Sequence, residues 1–225
     1  MDHDAAKARE FGAELTEHER ADLARRGRSR RVSAGTPLFM EGTRSDVVVV
    51  VISGRVKVFT SAQDGTEVVL AVRGPGALLG ELSAIDHQPH SASIRSLEPV
   101  EILTVGQREF TAFLEAHPRT MWLLMRLLTG RLRDADRKRN EFGVYDTLNR
   151  VARRLVELVD RFGEPTEAGI RITLPFTQEE LASWVGASRE AVAKALHTLR
   201  DRNYVQTQRR TVTVVDVEGL RRLAR

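Results

Sequence analysis

The chain contains no cysteine among its 225 residues. Disulfides, thiol redox switches and cysteine-ligated iron–sulfur clusters are therefore excluded. No apolar run approaches the length of a membrane span, and the first ten residues lack the apolar segment of a signal peptide. From these absences we expect a cytoplasmic, soluble protein.

The sequence also lacks the usual signatures of an enzyme. It contains no nucleophile elbow, P-loop or Rossmann fingerprint. Among the six histidines only His87 and His90 lie close together, on one predicted loop and without a third ligand at metal-binding spacing. We therefore predict that the protein is not an enzyme and holds no metal ion.

Charge is divided unevenly along the chain. Residues 1–118 carry 14 Lys and Arg against 17 Asp and Glu, a net charge of −3, whereas residues 119–225 carry 21 against 14, a net charge of +7. A basic C-terminal half beside a slightly acidic N-terminal half indicates that the C-terminal half binds nucleic acid.

The segment 177–202 has the pattern of two short helices joined by a tight turn. Thr177 and Glu180 match a capping box that starts the first helix, Gly186 suits its left-handed end, and Ser188 suits the N-cap of the second helix. Each helix has one apolar face at helical spacing; the residues of the two faces are Leu181, Trp184 and Val185, and Val192, Ala195, Leu196 and Leu199. This pattern predicts a helix-turn-helix.

Three charged residues of the second helix project away from its apolar face. Arg189 can bridge guanine O6 and N7, Glu190 can accept from cytosine N4, and Lys194 can donate to guanine or phosphate. A solvated surface helix carries similar charges, but the agreement of cap, turn and outward charges favours DNA reading. The other predicted DNA-binding residues are Thr177 and Ser188 at the helix starts, and Arg209 and Arg210 at the tip of a predicted hairpin, where a solvated tip is the alternative.

The sequence SREAVAKAL after TQEELASWVG resembles the DNA-binding domain of the CRP/FNR family of bacterial transcription regulators. In that family the positions matching Arg189, Glu190 and Lys194 read the operator, and the last of them is often arginine. The resemblance implies that the partners are double-stranded DNA with a two-fold symmetric operator, a second copy of the chain, and RNA polymerase.

The segment from Val32 to Val105 has short apolar runs separated by glycine- and proline-containing turns, which is typical of a β-sandwich or barrel. Val47 to Ile52 predicts a strand buried on both faces, whereas the alternation from Arg55 to Phe59 predicts a strand with one face in solvent. The sequence GTPLFMEGTRSDVVVVVISGRVKVF resembles the jelly-roll cyclic-nucleotide-binding domain of the same family.

An apolar stripe at spacings of three and four predicts a long helix after Pro118; its residues are Met121, Leu124, Met125, Leu128 and Leu132. The resemblance identifies this as the dimerisation helix, and the alternative is a helix that packs on its own β domain. The predicted fold is α+β, with a sensor jelly roll at 1–118, the dimerisation helix and hinge at 119–143, and a winged helix-turn-helix at 144–225.

The resemblance places a small-molecule pocket at Gly76 to Arg95. Gly80 and Glu81 match the Gly-Glu pair whose carboxylate accepts the ribose 2′-OH, and Leu82 follows them in the same segment. With Leu78, Leu79 and Ile85, Leu82 is expected to form the core beneath the pocket.

Three positions of the predicted pocket differ from the family pattern. His90 stands where the family has the arginine of an Arg-Ser pair, whose serine is matched by Ser91. Ala135 and Asp136 stand where cAMP-binding members have side chains that touch the adenine. Unlike arginine, histidine is mostly neutral near pH 7 unless an anion raises its pKa. The effector is therefore left open between cAMP, an altered ligand and none.

Two modes of regulation follow from these observations. In the first, an effector shifts the population of hinge geometries around Asn140 to Asp146 and so sets the two recognition helices. In the second, a constitutive regulator of the same fold acts without a nucleotide.

Overall fold

The computed structural model describes residues 10–62, 65, 67–174, 176–208 and 210–224, without the side chains of residues 142 and 143. By their contacts these residues divide into two compact units, one ending at Arg133 and one beginning at Asp134. We call them the N-terminal unit and the C-terminal unit. Within the described ranges, no helix is both long enough and apolar enough to cross a membrane.

The N-terminal unit is a β-sandwich with helices at its ends. Its elements are α1 (Phe11–Glu14), α2 (Glu17–Arg26), β1 (Gly27–Val32), β2 (Pro37–Phe39), β3 (Val47–Ser53), β4 (Val56–Ser61), β5 (Glu67–Arg73), β6 (Leu78–Leu79), α3 (Glu81–Asp86), β7 (Ser93–Ser96), β8 (Val100–Gly106) and α4 (Gln107–Ala116). Two antiparallel sheets form the sandwich, in the strand orders β1-β8-β3-β6 and β2-β7-β4-β5.

Strand β3 lies at the centre of this unit because both of its faces are apolar. Val49 and Val51 pack against residues of the second sheet, including Phe39 and Ile94. Val48 and Val50 point the other way, into a cluster built by the helices and completed by Phe11, Phe110 and Phe113, among others. The prediction of a strand buried on both faces holds for Val48 to Val51, whereas Ile52 at the end of the predicted run is exposed.

One local prediction in this unit is wrong. Strand β4 does not leave one face in solvent, since Lys57 is buried and its ammonium lies 2.6 Å from the Glu67 carboxylate, while Phe59 is buried as well. Alternation alone did not reveal that a cross-strand carboxylate lets a lysine lie within the sheet.

The long helix α5 (Pro118–Val144) begins at Pro118, where the missing N–H costs nothing. It continues past Gly143, where the sequence predicted a break. Leu124 of the predicted stripe is buried in the N-terminal unit, whereas Met121, Met125 and Leu132 are exposed. Trp122, which the sequence analysis omitted, is 67% exposed. The stripe therefore packs only partly on its own chain.

The C-terminal unit combines the end of α5 with helices and one small antiparallel sheet. Its further elements are α6 (Thr147–Phe162), β9 (Gly163–Thr166), β10 (Gly169–Ile172), α7 (Gln178–Val185), α8 (Arg189–Asp201), β11 (Val205–Gln208), β12 (Thr211–Val214) and α9 (Val217–Leu223). The strand order is β11-β12-β10-β9. Strand β9 has the sequence Gly-Glu-Pro-Thr, which carries no apolar alternation that would reveal a strand.

Candidate DNA interface and effector pocket

Helix α7 begins at the predicted capping box. The Thr177 hydroxyl accepts from the Glu180 backbone N–H at 3.1 Å, and the Glu180 carboxylate accepts from the Thr177 N–H at 2.8 Å. The two bonds satisfy backbone groups that a helix start leaves without an intrahelical partner. Thr177 is thereby fixed as the N-cap of the first helix.

The turn between α7 and α8 has the geometry that its residues predict. Gly186 adopts φ 61° and ψ 51°, in the left-handed region that favours glycine, and ends α7. Two residues later Ser188 caps α8, with its Oγ accepting from the Ala191 N–H at 3.2 Å. The short turn sets α7 and α8 against each other as a helix-turn-helix.

Helix α8 buries one face and exposes the other. Its buried residues are Val192, Ala195, Leu196 and Leu199. Arg189, Glu190 and Lys194 are all exposed near the N-terminal end of the helix, as the sequence predicted. Hydrogen bonds from its own backbone N–H and with the Ser188 hydroxyl lower the pKa of Glu190, as does the charge of Arg189. Glu190 is therefore an ionised acceptor at neutral pH.

The hairpin of β11 and β12 forms the wing. The Arg200 guanidinium of α8 donates to the Thr207 hydroxyl at 3.0 Å and ties the recognition helix to β11. Arg210 lies exposed at the hairpin tip with φ 59°. The other predicted tip residue, Arg209, lies outside the described residues. Of the predicted wing contacts, the structure therefore locates only Arg210.

Sequence reasoning missed Arg150 on α6, which reaches the turn of the helix-turn-helix. Its guanidinium donates to the Gly186 carbonyl at 3.4 Å and to the Tyr145 carbonyl at 3.2 Å. The only available signal was an arginine one turn beyond the Asp146 N-cap. This contact links the start of α6 to the residue that ends α7.

The predicted effector cassette lies in the N-terminal unit around α3. Gly80 is left-handed, with φ 79°, and a Cβ there would lie 3.1 Å from the Phe39 ring. The left-handed backbone and the closeness of the Phe39 ring therefore both disfavour a side chain at position 80. Glu81 follows as the first residue of α3 and is buried.

The Glu81 carboxylate is occupied by an arginine of the same chain. Arg131 of α5 forms a short ion pair with Glu81, and its second nitrogen donates to the Leu78 carbonyl at 2.8 Å. Arg131 was absent from the predicted site. A signal existed, since position 131 precedes Ala135 by one helical turn and hence shares its side of α5.

His90 is buried and both of its ring nitrogens have partners. Nε2 lies 2.8 Å from the Ser45 hydroxyl and Nδ1 lies 3.0 Å from the Ser83 hydroxyl, while the ring packs on Phe39 at 4.2 Å between centroids. Burial lowers the pKa of His90, and the nearby Glu81 charge only partly opposes this. His90 is therefore a neutral structural residue at pH 7.

The prediction that Leu82 and Ile85 form core beneath the pocket is wrong. They are 44% and 49% exposed, respectively, because residues three apart share one face of α3 and the opposite face carries Glu81 and Ala84. Leu78 and Leu79 are buried as predicted.

The remaining predicted pocket residues are all exposed. Ser91 is exposed in the N-terminal unit, next to His90. Ala135 and Asp136 are exposed on α5 in the C-terminal unit, and their role in a pocket stays a prediction. In the described part of the chain, no group of three or more metal-ligating side chains lies close enough to hold an ion.

Comparison with known proteins agrees with both halves of the structure. The family described as "Cyclic nucleotide-binding domain" matches residues 29–117, and the "Crp-like helix-turn-helix domain" matches residues 149–223. A "CRP-like cAMP-activated global transcriptional regulator" of Mycobacterium tuberculosis is 35% identical over 85% of each chain. The "Cyclic AMP receptor protein" of Thermus thermophilus is 32% identical over 92% of this chain and 93% of its own.

A solved structure supports the fold. The regulator CLP of Xanthomonas campestris aligns with a TM-score of 0.78 at 23% identity, over 89% of this chain and all of its own. A cyclic-nucleotide-type sandwich, a long helix and a winged helix-turn-helix thus occur in one chain, in a family of transcription factors rather than enzymes. The chain belongs to the CRP/FNR family of transcription regulators and binds DNA through its helix-turn-helix.

Proposed function

We propose that the protein acts as a homodimer on a two-fold symmetric operator, which each copy reads with Arg189, Glu190 and Lys194. The observation that carries this proposal is the exposure of these three side chains at the capped end of α8, opposite a fully buried face. In a helix-turn-helix, the N-terminal residues of the recognition helix contact base edges in the major groove. In this proposal Thr177, Ser188 and Arg210 contact phosphates.

The exposed part of the α5 stripe supports a dimer. Apolar surface is exposed along α5, at Met121, Trp122, Met125 and Leu132. A mostly exposed tryptophan is unusual in a monomer. A second copy of α5 provides a matching apolar face. Because the relatives are named transcriptional regulators, we take RNA polymerase as the protein partner at promoters.

Selection from a pool of random duplexes tests the operator. We expect the selected sequences to contain an inverted repeat with half-sites about 10 base pairs apart, the spacing of one helical turn. Met125→Asp should abolish the dimer and weaken binding to the repeat, because a charge enters the apolar seam. The control is Met40→Asp, since Met40 is 48% exposed and Met125 is 47% exposed. A single half-site bound by a monomer would contradict the proposal.

For the effector, the pocket itself favours a second candidate, a regulator that acts without a cyclic nucleotide. The relatives named above are cAMP-activated or cyclic AMP receptors. In this chain Arg131 already occupies the Glu81 carboxylate, and the Ser45 and Ser83 hydroxyls already engage both nitrogens of His90. A neutral histidine offers a cyclic phosphate none of the permanent charge that arginine supplies. We infer weak or absent binding of cAMP.

Calorimetric titration with cAMP, cGMP and cyclic di-GMP tests this inference. We expect no binding by the native protein in the micromolar range, and a gain in cAMP affinity of about tenfold or more in His90→Arg, in line with a new charge-assisted contact. The matched control is His87→Arg, which adds the same charge outside the Ser45–Ser83 contacts. Micromolar cAMP binding by the native protein would instead show that Glu81, Ser91 and the backbone suffice.

A further inference from the structure

Three ion pairs connect the last turns of α5 to α6 within the C-terminal unit. The pairs are Asp134–Arg161 at 3.8 Å, Lys138–Glu157 at 4.0 Å and Glu141–Arg153 at 3.6 Å. Position numbers rise along α5 while they fall along α6, so the two helices are antiparallel and every rung lies on one face of each. We call these three pairs the α5–α6 ladder.

Glu157 of the middle rung lies among several cationic side chains. Burial raises the pKa of Glu157, but the charges of Arg154, Lys138 and Arg161 outweigh burial and hold the pKa at about 2. Arg154, itself buried, pairs with the same carboxylate. Glu157 is therefore ionised at neutral pH, and removing its charge takes away the carboxylate that these cations share.

The ladder continues toward the turn of the helix-turn-helix. Arg153, from the last rung, lies over the Tyr145 ring at 3.8 Å. The Tyr145 carbonyl accepts from Arg150, which also reaches the Gly186 carbonyl at the end of α7. A continuous set of contacts thus joins the end of α5, the start of α6 and Gly186, which ends α7 two residues before the Ser188 cap.

We propose that Glu157 is a positioning residue that makes residues 134–144 of α5 a rigid part of the DNA-binding body, so that the orientation of these turns fixes that of the recognition helix. The inference rests on the proposed DNA interface. The sequence predicted a hinge at Asn140 to Asp146, and in this proposal the ladder holds the α5 part of that stretch against α6. Neither Glu157 nor its partners contact DNA in this proposal.

Limited trypsin digestion of the full chain tests the first half of the proposal. Arg137, Lys138 and Arg139 provide cleavage sites inside the turns that the ladder holds. We expect Glu157→Gln to speed cleavage there about tenfold, because cleavage follows the population of locally opened chains. Glu157→Asp keeps the charge and should stay close to the wild type, and Glu164→Gln is the control outside the ladder. Lys138→Met removes the α5 partner of the same ion pair, so we expect it to speed cleavage as well.

Binding to the selected operator tests the second half. We expect Glu157→Gln to lower operator affinity about tenfold with an unchanged slope of log affinity against log salt, since no phosphate contact is lost. Unchanged cleavage, or faster cleavage with unchanged operator affinity, would overturn the positioning role. If the wild-type protein selects no operator, the proposed function fails, and the cleavage rates still decide whether the ladder holds α5.

Discussion

Replacing Arg189 with alanine is expected to cost about 1 to 3 kcal/mol of binding free energy on the preferred operator and to relax the choice of base at one guanine. Arg189 is exposed at the first position of α8, directly after the Ser188 cap. An arginine there can donate two hydrogen bonds to guanine, and an incorrect base leaves those donors without acceptors. Competition between the operator and single-base variants measures the change.

The control for Arg189→Ala is Arg171→Ala, which removes an equally charged and exposed side chain from β10 of the same unit. Loss of charge alone weakens all duplexes similarly, whereas loss of a base contact weakens mainly the preferred one. Equal weakening by Arg189→Ala on the operator and on random duplexes would remove Arg189 from the set of base-reading residues.

Leu78→Ala is expected to lower the free energy of unfolding of the N-terminal unit by about 2 to 5 kcal/mol. The Leu78 side chain is fully buried in the cluster formed by β3, β8, α4 and α5. Truncation leaves a cavity among side chains that cannot close around it. Urea titration followed by circular dichroism measures the loss.

Leu82→Ala provides a matched comparison four residues along the same segment. Leu82 is 44% exposed, so its truncation should cost less than about 1 kcal/mol. A similar loss for both variants would mean that Leu82 packs in the core after all. It would also restore the original expectation from the sequence.

The helix-turn-helix was predictable because each of its determinants is local. A capping box spans residues 177–180, a left-handed glycine ends one helix, and a serine starts the next. Each of these acts over three or four residues, and the apolar faces repeat at the helical period. No interaction between residues far apart in sequence is needed to place Arg189 and Glu190 on the outer face of the helix.

The pocket was less predictable because its partners lie far apart in sequence. Arg131 meets Glu81 across 50 positions, and Ser45 meets His90 across 45. Histidine in place of arginine at position 90 argued against a strong phosphate site, but local sequence could not show that two serines engage the imidazole. Helix α3 is also too short, at six residues, for periodicity to reveal which of its faces is buried.

The edge strand β1 has a consequence for how the protein associates with itself. Among the described strands it pairs with β8 alone and forms the edge of its sheet, and it carries exposed Arg28, Arg30 and Arg31. Of these, Arg31 has an ion-pair partner in Glu101, at 3.8 Å. A row of like charges along this edge opposes the addition of a second β1, because the arginines would face each other. The charges on β1 thus disfavour edge-to-edge pairing of two sandwiches, which is a common route to aggregation.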